Sequence, residues 1–494
     1  MFLLLIMISI ACVLVWIVLK WMKIANYWAE LNVPYLSPHP ILGSLTFIQQ
    51  ENTNIWMKRM YDHFKAPYFG IWLFWRPALI VNSPKIARNI LVKDSAVFRD
   101  RFINSGESDP LGSLNLFTLN DPVWTNLRKK VTNVFSSAKL KLLQGFFQAK
   151  SVELMQRIDK EKHGRINLRG MFADYTTDII GTYAFGLAGN ATTTGEDPLR
   201  NVTKEFMKFS IFRGLSWCSI FFFPELVDIF KFKFFPSSAA NYFKRIFRQI
   251  TSEREASNKK VGDFLDILMK IRKEDINGEF SEDFFIAQAA LLLLGGFDTT
   301  AVLLTFITYE LAYNPDIQER LYQELLEAQE TYGEQNLGHE ALGEAVYLNC
   351  VIKESLRKYP AMGWLDRVAA EDYKIDENLT IKAGTPVYIN VMGMQHDAND
   401  FPEPSTFNPS RFLPENEKNV IPYTYLPFGE GPRVCLGQRF GIINVRNAIS
   451  TLLLNYEIQR YDDCPNVSDI KMDKLGLFLM PSEDLFVKFI PRSN

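Results

Sequence analysis

The stretch from Phe428 to Gly437 reads FGEGPRVCLG and sets Cys435, one of only five cysteines, in a frame of glycines two residues after Arg433. Phe428, Gly431, Arg433, Cys435 and Gly437 satisfy F-x-x-G-x-R-x-C-x-G. Chance would assemble those five positions in roughly one in ten thousand such chains. A buried, inert cysteine needs no such frame, whereas a thiolate that must reach a metal through a cramped space does. Gly431 and Gly437 would let backbone pass close to a flat group. A cysteine at the start of a helix also has its thiolate favoured by the helix dipole.

Other residues carry weaker signals. Gly295-Gly296-Phe297-Asp298-Thr299-Thr300 falls inside a long apolar helix candidate. Glycine costs about 1 kcal/mol there relative to alanine, and such local rule-breaking is expected at functional sites. Taken alone, a glycine-lined helix crossing explains the pattern equally well. Glu354 and Arg357 share one helix face, which by itself describes an ordinary surface pair. Trp124 and Arg128 share another face. Arg101, in VFRDRF, and Arg367, in WLDRV, are guanidiniums suited to a carboxylate.

The elements that must position these groups read as mainly α with a small β part. Phe284 to Leu311 is a long helix, Leu337 to Lys358 a second one ended before Pro360, and Gly437 to Tyr456 a third. The third carries a core stripe of Val445, Ala448, Ile449, Leu452 and Leu453. Tyr68 to Val81 reads as a hairpin with Pro77 near its turn, and Pro386 to Met392 as a strand. The 494 residues carry a net charge of −2 with no basic arm, so nothing favours nucleic acid. Five scattered cysteines (Cys12, Cys218, Cys350, Cys435, Cys464) argue for a reducing compartment rather than a disulfide framework. No P-loop, GxGxxG after a strand, HExxH or GxSxG elbow occurs, and the five histidines show no ligand spacing.

Phe2 to Leu19 is apolar but for Ser9. As a helix it spans about 27 Å, close to a thin bilayer. Lys20 and Lys23 follow at once, which puts the bulk of the chain on the cytosolic side. A cleaved signal peptide would need a basic segment before the run and small residues after it, where Lys20-Trp21-Met22-Lys23 stand. The expectation is an N-terminal transmembrane helix within 1–22, a stiff connector over 23–49 set by Pro34, Pro38 and Pro40, and one catalytic domain over 50–494. The sequons at Asn190, Asn201, Asn378 and Asn466 should then stay unmodified. The run from Phe206 to Phe235, rich in phenylalanine with interleaved Lys208, Arg213, Lys231 and Lys233, suits a lipid interface.

On the cysteine motif, with the other regions in agreement, the chain resembles the cytochrome P450 monooxygenases over nearly its whole length. The resemblance implies the P450 fold and haem b (iron protoporphyrin IX), with Cys435 as axial ligand of the iron and Phe428 beside the sulfur. It implies propionate contacts from Arg433, Arg128 with Trp124, Arg367 and Arg101. It makes Thr299 the residue that stabilises bound oxygen and Asp298 a proton relay. It gives Glu354, Arg357 and Arg411 a buried structural charge triad. The chain departs from the family pattern at Gln395, Asp397 and Ala398, where a His, an Asp and a Pro are common, with His396 one place late.

The implied partners are an NADPH-cytochrome P450 reductase carrying FAD and FMN, with cytochrome b5 as a further candidate. Lys129, Lys130, Lys139 and Lys141 would face the reductase. The implied location is the endoplasmic reticulum membrane, with the catalytic domain on its cytosolic face. Similarity to the insect microsomal group points to lipophilic plant toxins and insecticides as substrates. A dedicated biosynthetic enzyme for a hormone, pheromone or fatty acid is the alternative. A peroxide-rearranging P450 or a haem protein without turnover is the alternative of another class. Substrate walls are expected from 102–120, 203–235, the helix face before Asp298 and 361–366, with Phe117, Phe209, Phe212 and Phe297 as candidates.

Overall fold

The computed structural model describes residues 1–141, 143–208, 210–257, 260–333 and 337–492. Its first helix, α1 (Phe2–Ala25), has no buried residue and is long and apolar enough to cross a membrane. It outruns the apolar stretch because Lys20 to Ala25 continue the same helix. Two indoles pin its end to the body: Trp72 Nε1 donates to Ile24 O at 3.0 Å, and Trp28 Nε1 donates to Ile71 O at 3.1 Å. Trp28 lies flat against Gly70, where a Cβ would overlap its ring. Val33, Leu45 and Phe47 are also buried, and Tyr35 and Gly43 bridge to Gly70 and Leu73. The 23–49 segment is thus laid along the sheet rather than held off it as a free spacer.

That sheet has four strands. β1 (Tyr68–Leu73) and β2 (Arg76–Val81) form the expected hairpin, turned at Phe74 with φ +54°. Pro77 lies inside β2 opposite Trp72, before the stretch at Leu79–Val81 that pairs with the next strand, so its missing N–H costs that pairing nothing. β3 (Leu365–Val368) runs antiparallel to β4 (Pro386–Ile389), which runs parallel to β2. The strand expected to reach Met392 stops at Ile389, because Asn390 Oδ1 accepts from Gly393 N–H and starts a short helix, Val391–Met394.

Beside a three-stranded and a two-stranded sheet, helices form most of the rest of the body, among them α2 (Val123–Thr132), α3 (Leu168–Phe185), α4 (Glu282–Tyr313), α5 (Val346–Lys358) and α6 (Gln438–Asn455). α4 starts on a Ser281 cap and is buried on nearly every side, packed along α3. A helix apolar all round is a central one. It has membrane-spanning length, but 72% of its most apolar window is buried inside the protein. The helix expected over Leu337–Lys358 is broken at Ala345 into His339–Glu344 and α5. The break is held from outside, since the Glu324 carboxylate accepts the N–H groups of Tyr347 and Leu348 at 2.6 and 2.8 Å. The α6 stripe is fully buried, as expected.

Beneath the cysteine loop lies the charge triad. Glu354 and Arg357, both without exposed side-chain surface, form a forked pair at 2.7 and 2.9 Å, with Arg411 at 3.4 Å. Gln395, where the family pattern was broken, is a working part of this layer. Its amide donates to Leu356 O and Arg357 O, and its oxygen accepts from Leu426 N–H, all within 3.1 Å. His396 is turned to Met392 O, and burial pushes its imidazole down to about 3.

Candidate functional site

Cys435 stands two residues before the cap of α6. Gly429 and Gly431, at φ +72° and +74°, reverse the chain, and the Cys435 N–H closes the loop on Phe428 O at 3.0 Å. The two motif glycines divide the work differently from expectation. Gly437 faces open space on a cavity wall, as a group lying over it requires. Gly431 instead passes the backbone of Leu91, whose carbonyl oxygen a Cβ would overlap. Gly431→Ala is therefore expected to cost at least about 2 kcal/mol. Chemical denaturation of the purified protein checks it.

The cavity is about 350 Å³, and Cys435 owes its exposure to it. Burial pushes the thiol up, while the N–H groups of Gly437 and Gln438 and the charge of Arg128 pull it back. α4 forms the facing wall with Gly295 and Thr299. Its two glycines also separate: Gly295 has nothing within 4 Å of its Cβ direction, while at Gly296 a Cβ would press on Ile180 of α3. One glycine thus faces the cavity and the other a helix contact. Thr299 Oγ1 donates to Gly295 O at 2.8 Å. Asp298 is not on this wall. It is buried toward α3, with Oδ1 3.3 Å from Arg169 and Oδ2 without a partner. Burial pushes its carboxyl up against the pull of Arg169.

The cavity edge is cationic. Among the described residues its charged lining is Arg101, Arg128 and Arg433, and no carboxylate lines it. Arg433 stacks on Trp124 at 4.0 Å and donates to Arg99 O at 2.8 Å, and Arg128 donates to Val434 O at 2.7 Å. Arg367 is buried beside them, donates to Asp366 O, and does not reach the wall. Arg101 does reach it. Burial and mutual repulsion with Arg101 push Arg367 and Arg433 down to about 9. Arg101 Nε and Arg433 Nη1 are buried without partners. A dry cluster of guanidiniums with orphaned donors calls for anions. The two propionates of a haem answer that, and the open floor over Gly437 and Cys435 answers its flat ring and iron.

Two residues of this cluster escaped the sequence. Asn120 accepts from Arg101 N–H at 3.0 Å and Arg433 Nη2 at 3.4 Å, and donates to Arg101 O. Asp366, almost fully buried, sits 3.5 Å from Arg101 and accepts from Phe102 N–H. Asp366 stood in the quoted WLDRV stretch, but nothing local marks it off from a surface carboxylate.

The substrate walls are partly as expected. Leu116, Phe117, Ala361, Met362 and Leu365 line the cavity, joined by Phe478, which no local signal marks. None of the described residues of 203–235 lines it. Phe297 is buried with its carbonyl accepting from Thr176, and Phe212 is 60% exposed beside Phe232. Phe209 lies outside the described residues. The aromatic run is mostly core: Phe221 and Phe234 stack on Trp217, and Arg213 is buried on Lys233 O and Phe234 O. The expected lipid face shrinks to Ile211, Phe212, Ile229 and Phe230. Of the four lysines, Lys130, Lys139 and Lys141 contact Glu274, Gly262 O and Glu340.

A model of the cytochrome P450 family matches residues 33–489. Cytochrome P450 6k1 of Blattella germanica is 32% identical over 464 residues, 89% of this chain and 88% of that protein. Probable cytochrome P450 6g2 of Drosophila melanogaster is 32% identical over 469 residues, 89% and 90% of the two chains. Cytochrome P450 6l1 of Blattella germanica is 31% identical over 94% of this chain. Likeness sustained over that length settles the family: the chain belongs to the cytochromes P450, the haem-dependent monooxygenases.

Proposed function

We propose that this monooxygenase acts broadly on lipophilic small molecules, as a detoxifying enzyme does, rather than on one dedicated substrate. The observation that carries this reading is the chemistry of the cavity beyond the arginines. Its lining there is mostly aliphatic and aromatic. Of its polar side chains, the Gln288 amide is already spent on Leu114 O, Phe284 O and Leu116 N–H, Thr299 Oγ1 donates to Gly295 O and Tyr359 OH donates to Glu310, which leaves the Thr300 hydroxyl. A pocket with so few polar groups to be left unpaired discriminates weakly between ligands of similar size. It selects by desolvation and shape.

In this reading Cys435 is the iron ligand. Arg101, Arg128 and Arg433 hold the propionates, with Trp124, Asn120 and Asp366 holding those arginines in place; Arg367 adds charge from behind. Haem, when bound, supplies the chemistry that splits O2, placing one oxygen atom in the substrate and the other in water with two electrons and two protons. The electrons come from NADPH through a reductase carrying FAD and FMN, with cytochrome b5 as a second donor. The exposed Lys129 and its neighbours suit an acidic partner. α1 anchors the chain, and Ile211, Phe212, Ile229 and Phe230 add a small apolar foot. Lys20 and Lys23 favour the cytosolic face of the endoplasmic reticulum.

Thr299 holds a hydroxyl proton at Oγ1 on the cavity wall. Asp298 is its neighbour in sequence but faces Arg169, so in this reading it relays protons on the α3 side of the helix rather than from the cavity wall. Thr299→Ala should cut product formed per NADPH by about 10²-fold while NADPH consumption continues. Parallel NADPH and product assays read this directly.

The test of breadth is turnover by the full chain in lipid with reductase and NADPH, on a panel of plant toxins, insecticides, fatty acids and steroids, with products followed by mass spectrometry. Single-oxygen products from several unrelated classes support detoxification. Products from one class alone would establish a biosynthetic enzyme instead.

A further inference from the structure

A second cavity, about 560 Å³, lies on the other side of the cysteine loop. Its size falls within the range of small-molecule sites. Leu356, Phe428 and Ile442 line both cavities, so a single layer of side chains divides them. The second cavity has two kinds of wall. Leu140, Ile352 and Ile443 join that shared layer as an apolar side. Arg439, Arg446, Lys353 and His339 face it with cationic or donor groups, and no carboxylate is among its described lining.

Two of these cations, Arg439 and Arg446, are poorly compensated. The Arg446 side chain makes one hydrogen bond among the described residues, from Nε to Asn349 Oδ1 at 2.8 Å, and burial lowers its guanidinium without opposition from an acid. Arg439 donates to the Ser137 hydroxyl at 3.0 Å and likewise has no acid among the described residues. His339 Nδ1 is buried without a partner, and the charges of Arg446 and Lys141 add to burial in pushing its imidazole down. Lys353 is paired with Glu417, and the other nearby acids are engaged outside the cavity, Glu340 with Lys141 and Glu344 with Tyr332.

We infer that this cavity is a binding site for a small amphipathic anion, a carboxylate, sulfate or sulfonate on an aromatic or short aliphatic body. The body packs on Phe428, Leu356 and Ile442, and the head is taken by Arg439 and Arg446, with His339 at its edge. Apolar wall against guanidinium rim fits neither an inorganic ion nor a neutral hydrocarbon. The site is distinct from the substrate cavity, and its occupant presses on Phe428, whose carbonyl accepts from the Cys435 N–H.

The probe is naphthalene-2-sulfonate, with naphthalene as its uncharged counterpart, titrated calorimetrically into the full-length haem-loaded chain in phospholipid nanodiscs. Binding is expected at one site per chain, weakened by salt, with naphthalene failing to replace it. The titration is repeated with an azole filling the substrate cavity, which should leave the affinity unchanged. Arg439→Gln combined with Arg446→Gln should weaken binding at least tenfold. Arg439→Gln alone, at an exposed residue, should weaken it severalfold with the haem absorption of the free protein unaltered, so the result does not depend on the double variant folding. No binding to the unsubstituted protein, equal affinity in Arg439→Gln, equal binding of naphthalene, or loss of the site under azole would each overturn the assignment.

Discussion

Cys435→Ser is expected to abolish product formation and to remove the thiolate signature from the absorption spectrum of the ferrous carbonyl complex. Serine fits the space and keeps the backbone bond from position 435 to Phe428 O, so the body of the protein should still fold. What changes is the donor. A thiol held at this position against the cost of burial by two helix N–H groups and Arg128 is replaced by a hydroxyl that gives up its proton far less readily. Losing a mere partner of a metal ligand costs about 10–100-fold, so loss of the ligand itself should exceed about 10³-fold in turnover. Visible spectroscopy and product assays on the same preparation check both halves. Full turnover by the serine variant would remove the basis for a thiolate role at Cys435.

Glu354→Ala should prevent accumulation of folded, haem-loaded protein. The substitution leaves the Arg357 guanidinium, which has no exposed surface, without its only carboxylate partner among the described residues, and leaves Asn408 N–H without its acceptor. Breaking one member out of a buried pair costs about 3–5 kcal/mol, a large share of the roughly 5–15 kcal/mol that holds a folded domain together. Arg357 also donates to Gln395 O and Pro404 O, so its strain is passed to the segments that carry the cysteine loop. Arg411→Ala should be far milder, about 1 kcal/mol, because Arg411 is more exposed and stands at 3.4 Å. Haem content per expressed chain and urea midpoints separate the two variants. Equal yields from Glu354→Ala and the unsubstituted chain would show the triad to be dispensable.

What could be read from the chain in advance divides along the range of the interactions. The cysteine loop, the Thr299 helix and the α6 stripe were legible because short spacing sets them: the motif from Phe428 to Gly437 and the 3.6-residue repeat of α6. The break at Ala345 was not, since the group that caps it, Glu324, comes from another helix. The arginines could be named as residue types, but not by which of them face the cavity. Whether Arg101 or Arg367 reaches the cavity depends on Asn120 and Asp366, distant in sequence from one or both. The phenylalanine run misled because composition does not say which way a ring points. Trp217 stacks on Phe221 and Phe234, and Phe206, Phe222, Phe223, Phe232 and Phe235 are buried as well. Gln395 shows the reverse case, where departure from a familiar pattern kept the function of the position, since one carboxamide makes the three bonds the layer needs.

The adjacent glycines of α4 are unequal as handles for protein engineering. Side chains introduced at Gly295 enter open space on the cavity wall, while those at Gly296 meet Ile180 and drive two packed helices apart. A library randomised at 295 would therefore sample chambers of graded depth on an intact scaffold. One randomised at 296 would mostly sample misfolded chains. The catalytic scope of the enzyme can be reshaped by changing one glycine, provided its neighbour is left alone.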